Sequence, residues 1–237
     1  ASMSFMEPWL FGKKPTSFSL SGYYTRQTNS YYFYQNPDEY FEVYGVAASL
    51  GNRLKWPDNY FVLYHELSWQ AYNLHDWGYN FLFSTGQSNN FSYKVTLARN
   101  STDQQVFPRQ GSDFTFSVQL TPPYSLFRDP NTNYQSMTDQ ERYRWIEYHK
   151  WTFKGALYTK IVGDLVLMAR AQFGYLGSYN KKWGYSPFEG YQVGGDGMSG
   201  YNTYGSEIIA LRGYENYSLT PRDENGVYNG HIYDKFT

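Results

Sequence analysis

Residues 107–123 read FPRQGSDFTFSVQLTPP. Phe114, Phe116, Val118 and Leu120 alternate with Thr115, Ser117 and Gln119, so a strand here has one apolar and one polar face. A proline–glycine turn, Phe107-Pro108-Arg109-Gln110-Gly111, precedes it and Pro122-Pro123 follow it. The alternation recurs in both directions. Upstream, Phe18, Leu20 and Tyr24 oppose Ser17, Ser19 and Ser21. Phe61, Leu63, Leu67 and Trp69 oppose Tyr64, Glu66, Ser68 and Gln70, and Phe91, Tyr93, Val95 and Leu97 oppose Ser92, Lys94, Thr96 and Ala98. Downstream, from about Tyr143 to Thr159, Trp151, Phe153 and Leu157 oppose Lys150, Thr152 and Lys154. Leu165, Leu167, Ala169, Ala171 and Phe173 then oppose Arg170 and Gln172. Segment 40–54 is strand-like but thinned by Gly45, Ala47 and Ala48.

These segments have the length at which a tilted strand crosses a bilayer, roughly 9–11 residues or slightly more. Their connections alternate between short turns, as at 11–15, 56–59, 107–111 and 160–164, and long loops, including about a dozen polar residues after Arg26 and the stretches 73–88 and 122–141. Short turns on one rim and long loops on the other is the plan of an up-and-down membrane barrel. A soluble sandwich has no reason to keep that order. Composition agrees: aromatics are 22% of the chain with 27 tyrosines, yet mean hydropathy is polar at −0.67 and no apolar run reaches the ~18 residues of a membrane helix. Lys+Arg and Asp+Glu nearly cancel at 20 against 21, so no bulk charge attracts nucleic acid. The absence of cysteine excludes disulfides and thiolate chemistry. The N-terminus shows no basic region followed by an apolar core, so no signal peptide is visible. The expected fold is all-β: a transmembrane antiparallel up-and-down β-barrel, of which the chain, starting and stopping in mid-strand, is an interior portion.

After Tyr179 the alternation stops. Residues 179–230 form one long connection, rich in glycine from Gly190 onward and containing Leu211-Arg212-Gly213-Tyr214, before a last strand begins near His231. A long aperiodic loop is functional or disordered, and its aromatics argue against disorder. Gly190, Gly194, Gly195, Gly197 and Gly200 let backbone pass close to a wall.

Together these residues resemble the BamA family of outer-membrane assembly proteins. The resemblance rests on the Phe107-Pro108-x-x-Gly111-Ser112 turn, Thr121-Pro122-Pro123, Glu7-Pro8-Trp9 and Leu211-Arg212-Gly213-Tyr214, and it runs along essentially the whole chain. It implies a barrel of about sixteen strands, of which roughly strands four to twelve are present, with 1–237 part of that single domain and 179–230 folded into its lumen. The periplasmic POTRA domains of the family are absent from this chain. It further implies a bacterial outer-membrane location, a periplasmic turn at Phe107, Pro108, Gly111 and Ser112, and a lumenal loop motif at Leu211, Arg212, Gly213 and Tyr214. The implied activity is folding and insertion of β-barrel proteins without nucleotide, with outer-membrane lipid, client barrels and accessory subunits as partners. Arg212 in such a lumen needs a carboxylate partner, which the family supplies from later strands.

No enzyme, cofactor or metal is expected. Gly195-x-Gly197-x-x-Gly200 matches a dinucleotide fingerprint by letter but sits in no βαβ unit. Gly197-Met198-Ser199-Gly200-Tyr201 lacks the last glycine of a nucleophile elbow. His65, His75, His149 and His231 lack metal-ligand spacing, and 223–226 lacks that of a calcium loop. Two alternatives stay open: a related barrel exporting a passenger protein, and a soluble aromatic-rich carbohydrate-binding β-domain. A hydrolase is disfavoured, since no acid/base or nucleophile constellation is visible.

Overall fold

The computed structural model describes residues 1–12, 16–31, 34–77, 83–128, 136–180, 186, 188–195, 206–215, 218–219 and 235–236. The alternating segments become β1 (Ser2–Glu7), β2 (Thr16–Tyr31), β3 (Tyr34–Arg53), β4 (Phe61–His75), β5 (Gly86–Asn100), β6 (Gly111–Leu120), β7 (His149–Val162) and β8 (Leu165–Gly177). Each pairs antiparallel with the next, and β11 (Lys235–Phe236) pairs with β8, giving one open nine-stranded sheet in chain order. A separate parallel pair, β9 (Gly190–Val193) and β10 (Ser206–Ile209), arises from the long loop.

The register carries one face continuously across the sheet. Leu20 is opposite Ala48, Ala48 opposite Leu67, Leu67 opposite Tyr93 and Tyr93 opposite Leu120. These outward side chains remain accessible: Leu67 is 47% exposed, Leu157 53% and Leu167 56%. Phe114 meets Phe61 edge-on at 5.6 Å and Phe116 meets Trp151 at 6.2 Å, contacts between neighbours on that face. An apolar belt spanning eight strands exceeds what a water-facing surface carries and is what lipid contact demands. Tyr24, Tyr44, Trp69, Trp151 and Tyr175 mark its long-loop side, and Trp9, Trp56 and Tyr60 its short-turn side, as interfacial aromatics do.

The opposite face curves round its own contents. Phe41 and Val43 of β3, Tyr72 and Leu74 of β4 and Leu176 of β8 join one buried cluster with Ile146, Tyr148, Phe188 and Tyr191. β3 and β8 are five strand spacings apart, roughly 24 Å in a flat sheet, so meeting round one cluster requires curvature. Tyr72 stacks on Phe188 at 4.5 Å, which adds about 1 kcal/mol beyond burial. This cluster lies at the long-loop end. Toward the short-turn end the same face is lined by Lys94, Thr96, Thr115, Ser117 and Lys154.

β4 and β5 run a few residues into the expected 73–88 connection, the loop expected to be aperiodic carries β9 and β10, and two boundaries differ more. The dozen polar residues after Arg26 are a continuation of β2 and β3, joined through 32–33. Pro37, Asp38 and Glu39 are accommodated in a bulge, since Thr28 pairs with Tyr40 while Asn29 pairs with Asn36. Glu42 holds the hairpin base, accepting from Tyr24 and Tyr44 hydroxyls at 2.9 Å each and from Asn73 Nδ2 at 3.2 Å. The strand expected from about Tyr143 starts only at His149, because Tyr143–Tyr148 does another task. β6 ends opposite Tyr93, and segment 143–148 takes its place beside the rest of β5: Asn89 N donates to Arg144 O at 2.8 Å and Ile146 N to Asn89 O at 2.9 Å.

The two faces should differ sharply in what they tolerate. Leu67→Arg, on the outward face, should destabilise the membrane-embedded protein by about 2–4 kcal/mol, while Ala98→Gln, pointing inward, should cost under about 1 kcal/mol. Urea unfolding of the protein in lipid bilayers reads both.

Candidate functional site

The loop after β8 returns along the inner face. Its β9 and β10 pair in parallel, Glu207 opposite Tyr191 and Ile209 opposite Val193. Beyond them, Gly194 and Gly195 have φ of +121° and +88°, conformations that side-chain-bearing residues resist. That geometry turns their amide groups onto the next segment. Gly194 N donates to Ile209 O at 3.1 Å, Gly195 N to Tyr214 O at 3.0 Å, and Leu211 N to Gly195 O at 3.0 Å. A Cβ on Gly194 would lie 2.8 Å from Glu215 O. Gly195 therefore clasps both ends of Leu211–Tyr214, a β-turn closed by Tyr214 N donating to Leu211 O at 3.3 Å, while Gly194 holds the strand that leads into it. Gly213, at φ +93°, occupies the turn position that requires positive φ, and Arg212 precedes it at the tip. Arg212 is exposed and makes no ion pair among the described residues. Gly197 and Gly200 lie outside the described residues.

Beneath β9 the inner wall is prepared for this loop. Tyr148, 1% exposed, receives hydrogen bonds from Gln119 Nε2 at 2.7 Å and Asn90 Nδ2 at 3.2 Å and donates to Glu189 Oε1 at 3.2 Å. Gln119 Nε2 also reaches Ser92 Oγ at 2.9 Å, which bonds Ser68 Oγ at 2.9 Å. The network links β4, β5 and β6 to the 143–148 segment and the loop through buried and half-buried groups. Next to it lies a polar cavity of about 240 Å³, lined by Lys94, Lys150, Lys154, Gln119 and Glu207 among others.

The second motif forms the β5–β6 turn on the opposite rim. Ser101 N donates to Ser112 O at 2.9 Å, and Asp103 Oδ1 accepts from Arg109 N at 2.9 Å and Gln110 N at 3.3 Å. These amide hydrogen bonds, Arg109's foremost, hold the Asp103 carboxyl below its usual pKa. Gly111, at φ +108°, lets the chain close: a Cβ there would sit 2.2 Å from Ser101 O. Ser112 Oγ accepts from Arg99, whose Nε and Nη2 also grip Asp58 Oδ2 at 3.0 and 2.9 Å. Arg99 thereby ties the β3–β4 turn to the β5–β6 turn. Phe107 projects from the turn, 87% exposed with φ +55°, followed by the half-buried Pro108.

Sequence reasoning named the glycines and the Leu211–Tyr214 motif without seeing that the first clasps the second. It missed Arg99, whose place at an apolar strand's end was the available signal. It also missed Lys150, Lys154, Glu189 and Glu207 as loop contacts. The two lysines were legible as one strand face, but nothing in the sequence pairs them with carboxylates some 40–50 residues on.

A curved antiparallel sheet with an apolar exterior, a polar interior and an inward-folded loop defines a transmembrane β-barrel wall. The Omp85 superfamily domain matches residues 1–233, and the chain belongs to that superfamily. Among solved structures it is similar to BamA from Haemophilus ducreyi lacking POTRA domains 1–3, at a TM-score of 0.61 and 19% identity, which shows a shared fold. The match covers 93% of this chain and 38% of that one. No curated protein matches.

If Gly111 is needed for chain closure, Gly111→Ala should lose at least about 2 kcal/mol through backbone strain and collision with Ser101. Gly12→Ala should lose only about 1 kcal/mol, because φ there is +66° and nothing lies within 4 Å of the added Cβ. Chemical denaturation of both variants in the same bilayer gives the comparison.

Proposed function

We propose that this chain is part of the barrel of an outer-membrane assembly protein, which folds and inserts β-barrel clients into the bacterial outer membrane without nucleotide. The observation that carries the reading is the inward loop, which presents Leu211-Arg212-Gly213-Tyr214 as a turn held at both ends by Gly195. Superfamily membership and the fold shared with a BamA structure support it. The work would come from binding energy: a sheet edge offered to a client strand and a bilayer perturbed beside the wall. Outer-membrane lipid, client barrels and accessory subunits would be the partners. The role of this portion would be to supply a stiff wall and to hold Arg212 where a carboxylate elsewhere in the barrel can receive it, a charge-assisted contact worth keeping in a desolvated lumen.

Replacing Arg212 with alanine in the complete protein should lower the level of folded outer-membrane barrels several-fold in cells that depend on it. Heat-modifiable gel migration of client barrels measures this. Unchanged client levels would remove the loop from the mechanism. Loss of one secreted passenger with client barrels unaffected would instead identify a transporter of the same superfamily.

A further inference from the structure

We infer that the inner face of β7 is a docking track for the chain's own loop, built from Lys150, Thr152 and Lys154, which fixes the base of the loop independently of Arg212. These are three successive inward positions of one strand, and each meets one loop side chain. Lys150 Nζ donates to Glu189 Oε2 at 3.0 Å, Thr152 Oγ1 lies 3.5 Å from Tyr191 OH, and Lys154 Nζ donates to Glu207 Oε1.

The loop is shaped to fit. Its carboxylates come from residues 18 positions apart (207 less 189), brought side by side because β9 and β10 pair with Glu207 opposite Tyr191. The strand offers lysines four residues apart, about 13 Å, at either end of the track. Side-chain exposure is 12% for Lys150 and 7% for Glu189, so this pair is largely desolvated and either partner alone would leave an uncompensated charge. Glu189 is held further by Tyr148, and Lys150 lies 5.2 Å over the Tyr191 ring, which is itself 0% exposed. Lys154 and Glu207 are more exposed, at 48% and 26%, and make the weaker rung. Arg212 is exposed beyond the track and shares none of these contacts. The inference therefore does not rest on the proposed activity: the base of the loop is fixed by the wall whatever its tip meets.

These 237 residues hold no cysteine, so a single Ile209→Cys, in the complete protein with any cysteine outside them replaced by serine, reports on the loop. Ile209 is partly buried against the aromatic cluster and shielded while the loop is docked. The complete protein in outer-membrane vesicles is treated with a hydrophilic maleimide. Lys150→Glu with Lys154→Glu should speed labelling about tenfold or more, as local opening exposes the site. Adding Glu189→Lys and Glu207→Lys should return the rate to within about twofold of the parent, because opposite charges again face each other. Arg212→Ala in the parent should leave it within about twofold. Should the charge-reversed wall fail to yield a heat-modifiable barrel, Glu189→Gln with Glu207→Gln, which preserves shape, should give the same acceleration. The inference is overturned if labelling does not respond to either wall or loop variants, if the swapped charges fail to restore it, or if Arg212→Ala alone releases the loop.

Discussion

Backbone amides and carbonyls in hydrocarbon have no water to bond, and each one left unpaired costs several kcal/mol. The arrangement of this protein follows from meeting that demand. β3 to β7 each lie between two strands, β8 meets β11 at Gly174 and Tyr175, and the pairing continues even where a strand runs out. β6 stops opposite Tyr93, and instead of leaving the upper part of β5 bare, segment 143–148 is laid against it through Asn89. Ser88 Oγ donating to Tyr143 O at 2.7 Å fixes the same junction from the side-chain side. The alternation of side chains is then the second consequence, since a ladder that cannot slip fixes which residues of each strand face outward and which face inward.

The interior solves a different problem at each end. Near the long-loop rim it is filled with rings: Phe41 and Tyr72 from the wall, Tyr148 from the segment beside β5, and Phe188 and Tyr191 from the inserted loop. Further down it is filled with hydrogen-bonded polar groups and paired charges. The transition falls at Tyr148, whose ring belongs to the cluster and whose hydroxyl belongs to the Gln119–Glu189 network. Tyrosine suits that position because one side chain serves both environments, which accounts in part for a chain with 27 of them.

Much of this was legible in the residues because the membrane enforces period-2 patterning. The faces of β2, β4, β5, β6 and β8 follow directly from Phe18/Ser19, Leu67/Ser68, Val95/Lys94, Phe116/Ser117 and Phe173/Gln172. Two strand boundaries were not legible. Asn36-Pro37-Asp38 has turn chemistry, yet a bulge and the Glu42 network keep it within a hairpin. Tyr143–Tyr148 has strand-like composition and does pair, but with β5 and before β7 begins. The loop was legible in its punctuation only. Gly194 and Gly195 were legible as points of close backbone approach, whereas the meeting of Gly195 with Tyr214 and of Lys150 with Glu189 depends on a fold-back that no local pattern encodes.

The ring-filled end has a bearing on the membrane as a barrier. A wall curved widely enough to take in a loop would, if hollow, be a conduit down which ions and small toxic solutes could run. Here Tyr72, Phe188, Tyr191 and Ile146 are each no more than 1% exposed, so along this stretch the wall carries a solid stopper of the protein's own substance. Dispersion and stacking make the stopper, so ionic strength has little hold on it.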